Sequence, residues 1–96
     1  MLFMVIERYR QGPIPVYERA AQHGRMLPDG LRYIDSWIVA ADNLDRCFQL
    51  METDDPTLFE TWFGKWNDLV VFEVLPVIKS DEAARRVNIT WTGGTQ

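Results

Sequence analysis

Gly24-Arg25-Met26-Leu27-Pro28-Asp29-Gly30 runs directly into Leu31-Arg32-Tyr33-Ile34-Asp35-Ser36-Trp37-Ile38-Val39-Ala40, and Arg46-Cys47-Phe48-Gln49-Leu50-Met51-Glu52 follows a polar connection at Ala41 to Asp45. Two alternating runs joined by a short segment containing Asp42 and Asn43 predict a β-hairpin. Pro28-Asp29-Gly30 predicts the turn that launches it, because proline presets φ and glycine accepts a positive φ. The register expected from the connection pairs Ala40 with Arg46, so that Trp37 faces Gln49 and Val39 faces Cys47. Tyr33, Asp35, Trp37, Cys47 and Gln49 then share one face, and Ile34, Ser36, Ile38, Phe48 and Leu50 the other.

N-terminal to the hairpin, Leu2 to Arg8 is apolar at both parities, the pattern of a central strand buried on two faces. Pro13 and Pro15 interrupt it. Val16, Tyr17, Ala20 and Ala21 then recur at helical spacing, predicting a helix over Pro15 to His23 closed by Gly24. C-terminal to the hairpin, Thr53-Asp54-Asp55-Pro56 provides a capping acid ahead of a proline, and Phe59, Trp62, Phe63 and Trp66 follow at helical spacing. Packing against the sheet explains such a stripe more simply than a cofactor cradle, and Gly64 within it costs about 1 kcal/mol relative to alanine. Leu69 to Ile78 is a further strand, with Pro76 suited to an edge. Ser80 to Arg86 has acids first and bases last, the order a short helix prefers, and Val87 to Trp91 alternates like a fifth, edge strand before the tail Thr92 to Gln96.

At 96 residues and 47% hydrophobic content the chain suffices for one compact domain spanning 1–96, with a short C-terminal helix and tail after about residue 79. Its 10 basic and 14 acidic side chains leave a net charge of -4 with no basic block, which argues against nucleic acid as a partner. The apolar start is far shorter than the ~20 residues that span a bilayer and lacks a basic leader, so no membrane association is expected. With one cysteine and no evident signal peptide, a cytoplasmic location is expected.

The order β, α, β, β, α, β predicts an α+β, ferredoxin-like four-stranded antiparallel sheet with two helices on one face. Strands apolar on both faces would leave the second face bare, and a two-fold partner copy would bury it, so a homodimer forming a dimeric α/β barrel is expected.

Candidate chemistry is sparse. A single histidine, His23, and a single cysteine, Cys47, give no metal-binding set within one chain, and no glycine-rich phosphate or dinucleotide motif occurs, so neither metal nor cofactor is expected. His23 suits the C-terminal dipole of its helix as well as it suits a ligand contact, and a His23–Cys47 dyad is the weaker reading of a small strand cysteine. Arg25, just past the Gly24 break, is placed to steer an anion or to stand solvated. No catalytic residue is assigned. The ligand-binding candidates are Tyr33, Trp37 and Trp62 as walls, with Asp35, Gln49 and His23 as polar contacts; an interface between copies would use the same mixture.

The Met1 to Arg8 start, Gly24 to Leu31, Asp35-Ser36-Trp37, Arg46 to Glu52 and Trp66-Asn67-Asp68-Leu69 resemble a bacterial family of short proteins of unknown function. Through it the chain resembles the dimeric α/β-barrel superfamily, which includes the antibiotic-biosynthesis monooxygenases and muconolactone isomerases. That resemblance implies a small-molecule pocket between sheet and helices, often used without metal or cofactor; the aromatic walls and polar contacts named above suit a small aromatic or acidic metabolite. The superfamily's catalytic motifs do not align onto this chain. The expectation is therefore a small-molecule-binding protein or enzyme, with a non-catalytic dimeric module as the alternative.

Overall fold

The structure, a computed structural model, describes residues 1–90. Its elements are β1 (Leu2–Tyr9), α1 (Pro13–His23), β2 (Arg32–Ile38), β3 (Arg46–Glu52), α2 (Leu58–Phe63), β4 (Val70–Val77) and α3 (Ser80–Arg86). The four strands form one antiparallel sheet in the order β2-β3-β1-β4. This is the ferredoxin-like α+β arrangement that the sequence predicts, with β1 central and β4, carrying Pro76, at an edge.

Alternation divides the sheet into two faces. Phe3, Val5, Glu7 and Tyr9 of β1 are buried, as are Cys47, Gln49 and Met51 of β3; the apolar ones among them share a core cluster with Val16 of α1 and Phe59 and Trp62 of α2. Both of these helices therefore cover that one face. Phe63 stacks on Phe72 of β4 with ring centroids 4.0 Å apart, and Phe3 meets Phe59 edge-on at 5.2 Å, so the apolar stripe of α2 is spent on the sheet. On the other face Leu2, Met4, Ile6, Phe48 and Leu50 are only half-buried, while Trp37 and Leu75 are exposed.

Local boundaries differ from expectation for identifiable reasons. α1 begins at Pro13 rather than Pro15, since both prolines fit a first turn whose N–H groups have no helical partner. Asp55 does not cap α2 directly. Its Oδ1 accepts from the Thr57 N–H (3.1 Å) and hydroxyl (2.6 Å), forming a turn that delays the helix to Leu58. α2 ends at Phe63, so Gly64 is its C-cap rather than an interior residue, and Trp66 lies in the turns that follow. α3 has the expected acids and bases, joined by Arg85 and Arg86 to Glu82. The fifth strand does not form over Val87 to Thr90: Asn88 takes φ 62° and the Ile89 N–H returns to the Ala84 carbonyl (3.0 Å). Trp91 and the tail lie outside the described residues.

The hairpin register is the important correction. Leu44 adopts φ 48°, the Val39 N–H bonds the Arg46 carbonyl (2.9 Å), and Ile38 rather than Val39 faces Cys47. Pairing thus slips by one residue, which sends Asp35 and Trp37, opposite Leu50 and Phe48, to the face away from the helices. A bulge between Tyr33 and Asp35 then restores Tyr33, opposite Met51, to the helix-covered face. Ser36 and Ile38, not Asp35 and Trp37, accompany Gln49 and Cys47.

Candidate functional site

Between α1 and the covered sheet face lies a chamber of about 270 Å³. Sheet residues Glu7, Tyr9, Cys47 and Gln49 form its floor, Tyr17 and Ala20 of α1 its roof, and Trp62, Trp66 and Phe72 its apolar wall; Arg25 stands at its edge.

The wall also fixes the edge. Trp62 and Trp66, 2% and 5% exposed, both donate their indole N–H to the Arg25 carbonyl, at 2.8 and 3.0 Å. Gly24 at φ 68° and Met26 at φ 58° flank this residue. Only glycine takes that region freely, so the Met26 conformation is held by its surroundings, and the two indole bonds next to it are part of what holds it. The Arg25 guanidinium lies 3.6 Å above the Tyr33 ring, a cation–π contact, and its Nε donates to Gln49 Oε1 at 3.2 Å. Tyr33 in turn shares a 2.8 Å hydroxyl–hydroxyl hydrogen bond with Ser36.

Gln49 passes this orientation to Glu7. Arginine only donates, so the amide oxygen must face Arg25, and Nε2 is left to donate to Glu7 Oε2. Glu7 is 4% exposed, and its second oxygen makes no hydrogen bond among the described residues. No buried polar side-chain atom there lacks a partner, so that oxygen is open to the chamber rather than sealed in the core. Burial pushes the Glu7 carboxyl from 4.5 up to about 7, against the opposing pull of the Gln49 hydrogen bond and the Arg25 charge. Burial likewise pushes the Cys47 thiol up to about 11, with Glu7 adding to it, and raises the Tyr9 and Tyr17 hydroxyls. Near neutrality the chamber therefore presents one carboxyl poised between its two states, beside thiol and phenol groups that keep their protons.

Of the sequence-derived candidates, Gln49 and Trp62 line this chamber, and Tyr33 backs it through Arg25. Asp35 and Trp37 are on the opposite sheet face. His23 is exposed in the last turn of α1, where its dipole reading places it, and does not line the chamber that holds Cys47. Glu7 was not foreseen. It sits in an otherwise apolar run, and a charged residue at a buried parity of a central strand was the signal available. Among the described residues no group of three His, Cys, Asp or Glu side chains is placed to hold a metal ion, and no helix is long and apolar enough to cross a membrane.

Comparison with known proteins gives one result. The profile of a domain of unknown function (DUF3303) matches residues 1–88. The chain belongs to this family. Neither the curated proteins nor the solved structures contain a match. Nearly all of the family's span is thus the ferredoxin-like unit itself, including every residue that lines the chamber.

Proposed function

We propose that the chain is a small-molecule-binding protein whose ligand occupies the chamber between α1 and the sheet, with Glu7 as its principal polar anchor. The observation that carries this reading is a buried carboxyl with one oxygen bonded to Gln49 and the other open to an aromatic-walled cavity. Burying a carboxyl in a core is costly unless something is gained from it, and its neighbours here orient it rather than neutralise it. A carboxyl near its midpoint can donate to or accept from a bound ligand, which brings acid–base chemistry on that ligand within reach. The volume suits a single ring with small substituents, since an apolar cavity of about 150 Å³ already accepts benzene. Amide NMR with a library of one-ring compounds tests this: shifts should cluster at Glu7, Gln49, Arg25 and the Trp62 indole. A library that moves none of these signals would overturn it.

The open sheet face favours a second reading, compatible with the first, in which a second copy of this chain packs there as in a dimeric α/β barrel. Trp37 and Leu75, 51% and 43% exposed, lie on a face whose centre is Met4, Ile6, Phe48 and Leu50. Around this apolar centre stand Arg8, Arg32 and Arg46 against Asp35, Glu52 and Glu73, a balanced set that a two-fold axis can match to itself. Light scattering behind size exclusion at micromolar concentration should give twice the chain mass; a monomer would remove this reading.

A further inference from the structure

Arg25 is the one cation among the residues that line the chamber. Among the described residues no carboxylate lies within ion-pair distance of it. Its Nε is committed to Gln49, one planar face is covered by Tyr33, and Nη2 has only a 3.5 Å contact with Ser36 Oγ. The Nη edge is therefore available, on a residue whose backbone is pinned by two indoles. That edge is the geometry with which a guanidinium grips a carboxylate through two parallel hydrogen bonds.

We propose that the ligand of the chamber is a compact one-ring carboxylate, with its carboxylate on the Arg25 Nη edge, its ring against Trp62 and Phe72, and its inner end beside protonated Glu7. This rests on the chamber being a small-molecule site and adds the charge class of the ligand and the protonation state that receives it. The groups facing Glu7 are Tyr9 on its own strand, Cys47 and Gln49 on β3, Tyr17 on α1 and Arg25 at the edge, while Phe72 on β4 and Trp62 on α2 are uncharged. Arg25 is thus the only positive group among them. An anion seated on it cancels the charge that helps Glu7 ionise and adds a negative charge nearby, so binding draws a proton onto Glu7.

Calorimetric titration with benzoate, benzamide and benzylamine between pH 6 and pH 8.5 tests the proposal, with amide NMR confirming that each variant is folded. Benzoate should bind at least tenfold more tightly than benzamide at pH 6, and its affinity should fall by up to about tenfold per pH unit above pH 7, as for uptake of one proton. Glu7→Gln should flatten that profile, and Arg25→Gln should abolish the preference for benzoate. Benzamide or benzylamine binding as well as benzoate, or benzoate tightening as pH rises, would overturn the anion assignment while leaving the chamber as a small-molecule site. Silence from all three and from a wider neutral one-ring panel would overturn both.

Discussion

The two faces of this sheet are built from the same strands and end in opposite conditions. The helix-covered face has aromatic walls and an ionisable floor: Glu7 and Gln49 sit among Val5, Tyr9, Cys47 and Met51, connected to Arg25 at the edge. The open face has an apolar centre, with its charges at the margin and Trp37 exposed. The contrast separates two needs. Polar groups that are costly to bury are concentrated where a cavity gives them something to contact, and apolar groups that are costly to expose are concentrated where another surface can cover them.

The comparison is most easily broken at Trp62, which belongs to both core and chamber wall. Trp62→Ala removes a 2% exposed indole and one of the two bonds to the Arg25 carbonyl, and should lower stability by about 3 to 5 kcal/mol in urea denaturation. An unchanged midpoint would mean that the covered face is not packed as described.

The next effect reads Glu7 through pH. Its carboxyl is raised from 4.5 to about 7 in the folded chain, so below pH 4.5 it is protonated in both states and above 7 ionised in both. Between these limits the folded chain holds a proton that the unfolded chain has released, so stability falls as pH rises, by on the order of 3 kcal/mol in total. Glu7→Gln should remove that slope, so that the variant gains on the parent protein from pH 5 to pH 7.5. Parallel stability profiles would place Glu7 in water rather than in the floor.

The open face is sharpened by Met4→Lys, which puts a charge at its apolar centre without touching the chamber. Where a second copy covers that face, the variant should run as a monomer in size exclusion with its ligand response intact; loss of that response would couple the two faces. The smallest effect belongs to Trp37→Ala. Opposite Phe48 and on the other face of β2 from Ser36 and Ile38, which line the chamber, it should weaken self-association while changing chamber affinity less than about twofold, because successive strand side chains point to opposite faces.

Much of this was legible in the sequence. Periodicity and turn residues sufficed for element order and a ferredoxin-like sheet, because the alternation of β1 and β3 and the spacing of Phe59, Trp62 and Phe63 are local signals. Register was not legible, because it depended on the left-handed Leu44 and on a bulge beside Ile34, neither of which has a glycine or Asn-Gly signature. That single slip moved Asp35 and Trp37 out of the candidate site and Ser36 into it. Gln49 was identifiable as a mid-strand amide needing partners, but those partners, Glu7 and Arg25, are 42 and 24 residues away in sequence and meet it only through folding.

The most direct measurement is a carbon-13 NMR titration of the Glu7 side-chain carboxyl in the folded protein, assigned by its loss in Glu7→Gln. A midpoint near 7, moving upward when benzoate is added, is expected of a buried carboxyl opening into an anion-binding chamber. A midpoint near the ordinary 4.5, unmoved by ligand, would contradict the chamber as the functional centre of this fold.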